Sequence, residues 1–101
     1  MKDRAKRIVD VAKDITRQDP HAPIIICGDF NNHVAVVCEA LVQYNFAPAI
    51  ECGTETHRQG GHLDQVFTRN IDVVNAVVSG DYDNDISDHK CLKVTLRPRQ
   101  H

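Results

Sequence analysis

Three short polar clusters interrupt otherwise apolar stretches of this chain: Gly28-Asp29-Phe30-Asn31, Leu63-Asp64-Gln65-Val66 and Ser87-Asp88-His89. Each sits at or beside the end of a strand-like run, where a rigid backbone can hold side chains in register for a reaction. A carboxylate placed there is costly to bury without a cation or a hydrogen-bond donor. The three clusters share one solution: a hard metal ion beside a histidine–carboxylate pair. Taken singly, each has a plainer reading. Gly28-Asp29 could be a strand-to-turn junction with an Asx turn and a helix cap, Asp64 a solvated residue on an alternating strand, and Asp88-His89 a surface loop. Their joint occurrence, in this order and with strand-like flanks, favours chemistry.

The elements that must position these groups can be read from periodicity. Ala5, Ile8, Val9, Ala12 and Ile15 recur at helical spacing over residues 3–17, and Asp19-Pro20 ends that helix. Residues 24–28 read as a buried strand, too short and too β-branched for a helix. Asn31 or Asn32 caps a second helix over 33–44, with Val37, Leu41 and Tyr44 on its inner face. Strands follow over 46–51, 63–68, 71–79 and 90–97, with Arg69-Asn70 as a tight turn and Gly60-Gly61 marking a polar loop. Helix, strand, helix and then mostly strands predict an α/β layered fold with a mixed sheet.

The totals narrow the class. A chain of 101 residues is one small domain or part of a larger one, and its 42% apolar content suffices for a largely aliphatic core. The net charge is −2, with both ends basic; residues 18–89 carry eleven Asp and Glu against only Arg58 and Arg69. An acidic centre suits a cation better than a bare phosphate chain, so charge alone does not point to nucleic acid. Cys27, Cys38, Cys52 and Cys91 are widely spaced without a CxxC pair, which implies reduced thiols, several of them buried, with Cys27 among these. No stretch has the apolar length of a membrane span, and the charged N-terminus does not read as a signal peptide. These features imply a soluble intracellular protein, nuclear or cytoplasmic.

With GDFN, LDQV and SDH in that order, the chain resembles the C-terminal half of the endonuclease/exonuclease/phosphatase superfamily, metal-dependent phosphodiesterases related to abasic-site endonucleases. The stretch Thr56-His57-Arg58-Gln59-Gly60-Gly61-His62-Leu63-Asp64 looks most like the endonuclease domains of non-long-terminal-repeat retrotransposons. The resemblance implies half of a four-layered α/β sandwich: one mixed sheet of about five strands with two helices on one face. It also implies roles. Asp29 would orient or deprotonate the attacking water, and Asn31 would hydrogen-bond a phosphate oxygen. Asp64 would orient His89, which would contact the scissile phosphate, and an imidazole titrates near neutrality as proton transfer requires. Asp88 would hold Mg²⁺ or Mn²⁺. Thr56 and Arg58 would lie on the substrate-binding face, with DNA as partner.

The family's N-terminal half normally supplies further metal ligands and phosphate contacts, and this chain has no counterpart to them. The expectation is therefore a partial domain, either a fragment of a longer protein or a chain that self-associates through an uncovered apolar sheet face. A non-catalytic binding module, a phosphatase and an RNA nuclease of the same superfamily stay open as alternatives. Asp81, Asp83, Asp85 and Asp88 mimic the start of a calcium loop, but Ile86 and Leu92 stand where an EF-hand needs Gly and Glu. His33, His57 and His62 read chiefly as surface or polar-loop residues, with His57 and His62 also able to touch a substrate strand.

Overall fold

The computed structural model describes residues 3–51, 54, 56, 57, 61, 63–79 and 89–99. It holds helix α1 (Asp3–Gln18), strand β1 (Ile24–Asp29), a 3₁₀ turn (Asn31–His33), helix α2 (Val34–Val42), and strands β2 (Ala47–Pro48), β3 (Asp64–Arg69), β4 (Ile71–Val78) and β5 (Leu92–Pro98). The α/β class expected from periodicity is what forms.

The sheet arrangement differs from the single mixed sheet. Among the described residues there are two antiparallel sheets, one ordered β1-β3-β2 and the other pairing β4 with β5. The physical reason lies in β3. Its two edges are taken by β1 and β2, so β4 has no edge of β3 to join. The Arg69-Asn70 turn is therefore a corner between sheets, not a hairpin. Asn70 makes that corner at φ 58°, and its side-chain amide donates to the Pro20 and Ala22 carbonyls at 3.0 and 3.1 Å. Among the described residues the non-glycine positions with positive φ are Asn31, Asn45 and Asn70, the residue type that bears this conformation best after glycine.

The core lies between the helices and one face of the three-stranded sheet. Ala12 from α1, Val34, Val37 and Leu41 from α2, and Phe30, Phe46 and Phe67 form it, with Ile8, Val9, Ile24 and Ile26 packed alongside. Only part of the α1 stripe is covered: Ile15 remains 37% exposed. Alternation along β1 turns Ile24 and Ile26 toward the helices and Ile25, Cys27 and Asp29 to the opposite face. Cys27 is thus exposed, contrary to its expected burial, because helices cover only one side of the strand.

Helix α2 starts without the asparagine cap expected for it. His33 occupies the cap position and makes no side-chain capping bond. Its far end is better made. Asn45 at φ 67° lets its own amide reach the Val42 carbonyl (3.1 Å) and the Phe46 amide reach the Leu41 carbonyl (3.2 Å). This is the Schellman pattern, with Phe46 and Leu41 in the same core.

Strand β2 is two residues long, where 46–51 was expected. Pro48 lacks an amide hydrogen and weakens the ladder there. A side chain then takes over the pairing. Gln65 Nε2 donates to the Ile50 carbonyl at 2.9 Å, and Gln65 Oε1 accepts from the Ile50 and Val66 amides at 3.0 and 2.9 Å.

Candidate active site

The site begins with strand register. In the antiparallel β1–β3 ladder, Asp29 lies directly opposite Asp64. The neighbouring Phe30 amide donates to the Leu63 carbonyl at 2.7 Å, which assigns the ladder bond to the 30/63 pair. The 29/64 pair is then of the non-hydrogen-bonded kind, in which facing side chains approach most closely. Both carboxylates emerge on the sheet face away from the helices. Beneath them Phe30 is buried and packs edge-on against Phe67, with centroids 5.4 Å apart and planes at 74°.

Two like charges set face to face repel unless a cation or a donor stands between them. His89 supplies the donor. Its Nδ1 lies 2.6 Å from Asp64 Oδ2, and its Nε2 lies 3.5 Å from Asp29 Oδ2. A carboxylate only accepts, so the short contact places a proton on Nδ1 and leaves Nε2 facing Asp29. The three side chains grade outward from Asp64 to His89 to Asp29, at 15%, 30% and 42% exposure. The Asp64 end is therefore the more sheltered and the Asp29 end the more open.

Backbone geometry serves the same end. Gly28 has φ 156°, a region that side-chain-bearing residues rarely adopt, although space around it is open. The chain then turns sharply: Asp29 Oδ1 accepts the Asn31 amide at 2.8 Å, and Asn31 sits at φ 52°. Asp29 so makes the Asx turn of its plainer reading and faces His89 with its other oxygen. Because the backbone leaves the extended form here, Asn31 does not follow Asp29 in strand fashion. It is exposed at the rim, beside the carboxylate–imidazole cluster.

Thr56 organises the opposite side. It is fully buried, and its hydroxyl oxygen accepts the Leu63 and Asp64 amides at 2.9 and 3.1 Å. Its own amide donates to the Gly61 carbonyl (3.0 Å), and its carbonyl accepts the Lys90 amide (2.8 Å). The side chain expected on the substrate-binding face is thus turned into the protein, where it holds the start of β3, while the Thr56 backbone carbonyl holds the segment after His89. The expected Arg58 and Asp88 lie outside the described residues, as do Cys52, His62 and the acidic run 80–87.

Among the described residues, Asp29, Asp64 and His89 form a group that could hold a metal ion, with one ligand atom each, all within 4.8 Å of one another. The donor set fits a hard divalent cation through its carboxylate oxygens. The Nδ1 bond to Asp64 turns Nε2 toward Asp29, an arrangement in which an imidazole can either hydrogen-bond a substrate or ligate an ion.

A carboxylate-oriented histidine, facing a second carboxylate at paired strand ends, is the arrangement that GDFN, LDQV and SDH lead to. The model of the endonuclease/exonuclease/phosphatase family matches residues 1–89. The chain belongs to this family. It is accordingly a hydrolase of the endonuclease/exonuclease/phosphatase superfamily, whose members are generally metal-dependent. No curated protein and no solved structure matches the chain. Among the described residues, no helix is long and apolar enough to cross a membrane.

Two residues gained importance only in the fold. Gln65 sits inside the LDQV motif, and its one sequence signal is a polar residue on the same face as Phe67. His57, read as a polar-loop histidine or a substrate contact, forms a β-bridge with His89 and stacks edge-to-face on its ring, with centroids 4.6 Å apart.

Proposed function

We propose that this chain serves a Mg²⁺- or Mn²⁺-dependent DNA endonuclease of the retroelement type, cutting phosphodiesters by hydrolysis. The observation that carries this reading is the Asp64–His89–Asp29 line, with one imidazole nitrogen held and the other facing a carboxylate.

Asp64 holds the Nδ1 proton and sets the imidazole plane, as a carboxylate does for a catalytic histidine. Nε2 is then the atom that meets the scissile phosphate, as a donor to developing negative charge or as a base. Asp29, the most exposed of the three, orients the attacking water and accepts its proton. Asn31 stands at the same rim, where its carboxamide can bind a non-bridging phosphate oxygen. A divalent cation, when bound, would supply charge stabilisation for the reacting phosphate, and Asp29 and Asp88 are the residues that would hold it. The retroelement assignment draws on the THRQGGHLD stretch, and DNA as substrate draws on that assignment.

The test is nicking of supercoiled plasmid by the chain with Mg²⁺, Mn²⁺ or chelator, beside His89→Ala. Removal of His89 should lower the rate on the order of 10²- to 10⁴-fold. Equal nicking by the variant sinks the assignment.

A second reading has its own support. The outer face of β1 exposes Ile25 at 48%, and β4 exposes Val73, Val74 and Val77 at 37–55%. Such surfaces suit a module that associates with another copy or a partner. Absence of nicking together with concentration-dependent sedimentation favours it; a monomer at high concentration speaks against it.

A further inference from the structure

We propose that His57 is a positioning residue that holds the imidazole plane of His89 against Asp64. The consequence for turnover rests on the endonuclease reading, whereas the positioning itself does not. Three observations meet on this residue. The backbones of His57 and His89 form an antiparallel bridge, and the Lys90 amide extends it to the Thr56 carbonyl. The two rings meet edge-to-face, with centroids 4.6 Å apart and planes at 83°. Finally, Thr56, the residue before His57, anchors the Asp64 amide through its buried hydroxyl.

One short segment therefore touches both members of the Asp64–His89 pair, Asp64 through Thr56 and His89 through His57. The hydrogen bond at Nδ1 fixes one edge of the ring, and a tilt of the ring plane would carry Nε2 away from Asp29. A perpendicular aromatic plane against the ring opposes that tilt, and edge-to-face contact is a favoured arrangement for π systems at this spacing. Half-burial of both histidines keeps the contact from being a passing surface encounter. His57 touches no reacting atom in this scheme.

The test labels imidazole nitrogens with ¹⁵N and follows the His89 Nδ1 proton in the whole chain at one fixed pH. In the wild type the 2.6 Å bond to Asp64 should give a downfield, slowly exchanging Nδ1 proton. His57→Ala should broaden this signal or speed its exchange at least several-fold, and His57→Phe, which keeps an aromatic plane, should restore it. Amide spectra of β1 and β3 report whether the variants stay folded. In nicking assays His57→Ala should lower kcat roughly tenfold and leave KM near its wild-type value. An unchanged Nδ1 signal in His57→Ala, or failure of His57→Phe to restore a lost one in a folded chain, overturns the proposal. The two readings fail separately. A signal lost in His57→Ala from a chain that never nicks DNA supports positioning and discards the endonuclease, and the converse pattern discards positioning alone.

Discussion

Asp29 faces Asp64 across the β1–β3 ladder, and one imidazole spans the gap between them. The pairing brings two carboxylates of distant sequence position to one edge through register alone. A slip of one residue would send one of them to the helix-covered face. The Phe30–Phe67 contact and the Phe30 amide bond to Leu63 guard against that slip from below. The site is therefore as rigid as the ladder end that carries it, and its chemistry can be tested one support at a time.

Asp64→Asn keeps the size of the side chain and removes the charge that fixes the Nδ1 proton. The amide can then meet Nδ1 as donor or acceptor, and the tautomer is no longer imposed. Single-turnover nicking should fall on the order of 10²- to 10⁴-fold. Amide spectra should show β1 and β3 still paired. A variant that cuts at the wild-type rate would remove Asp64 from the mechanism.

Much of this site was legible in the sequence, and the boundary of legibility is physical. Ile24 to Cys27 declared a strand, and helix α1 ended where Asp19-Pro20 said it would. Asp29, Asp64 and His89 were marked by type and by their places at strand ends. What alternation could not show was which face had a cover, so Cys27 was misjudged. The edges of β3 were likewise hidden: a single mixed sheet was expected because occupancy of both edges depends on pairing between distant segments. Thr56 and Gln65 were obscured for a different reason. Their work is to satisfy backbone groups, and periodicity carries no record of hydrogen bonds made by side chains.

Thr56 separates support from contact. Thr56→Val preserves its shape but strips two amides, those of Leu63 and Asp64, of their acceptor. Unpartnered buried amides cost about 1–3 kcal/mol each, so a loss of about 2–6 kcal/mol in urea unfolding is expected. Thr56→Ser keeps the hydroxyl and should cost about 1 kcal/mol or less by loss of one methyl. If Thr56→Val retains full stability and instead raises KM alone, the residue binds substrate after all.

Cation binding can be read without turnover. An ion that binds only the folded chain stabilises it, by about 1.4 kcal/mol at ten times its dissociation constant. Melting temperature should therefore climb with Mg²⁺ or Mn²⁺, in step with the logarithm of concentration once it exceeds the dissociation constant. Asp29→Asn withdraws one of the clustered carboxylates and should flatten that response. A rise that is equal in the variant would place the ion elsewhere.

Gln65 tests how β3 holds the segment after Pro48. At 1% exposure its carboxamide acts as a surrogate strand, giving one donor and one acceptor to Ile50 and bonding the Val66 amide as well. Gln65→Leu fills nearly the same volume yet leaves the Ile50 amide and carbonyl without that partner, at a cost of about 2–4 kcal/mol. Gln65→Glu should be worse, although it keeps the acceptor. It buries a carboxylate and turns an oxygen toward the Ile50 carbonyl, replacing a bond with repulsion. Urea midpoints should therefore rank wild type above Leu and Leu above Glu, with similar m-values if the unfolded states are alike. Midpoints equal to the wild type in both variants would mean that the carboxamide contributes nothing to holding Ile50.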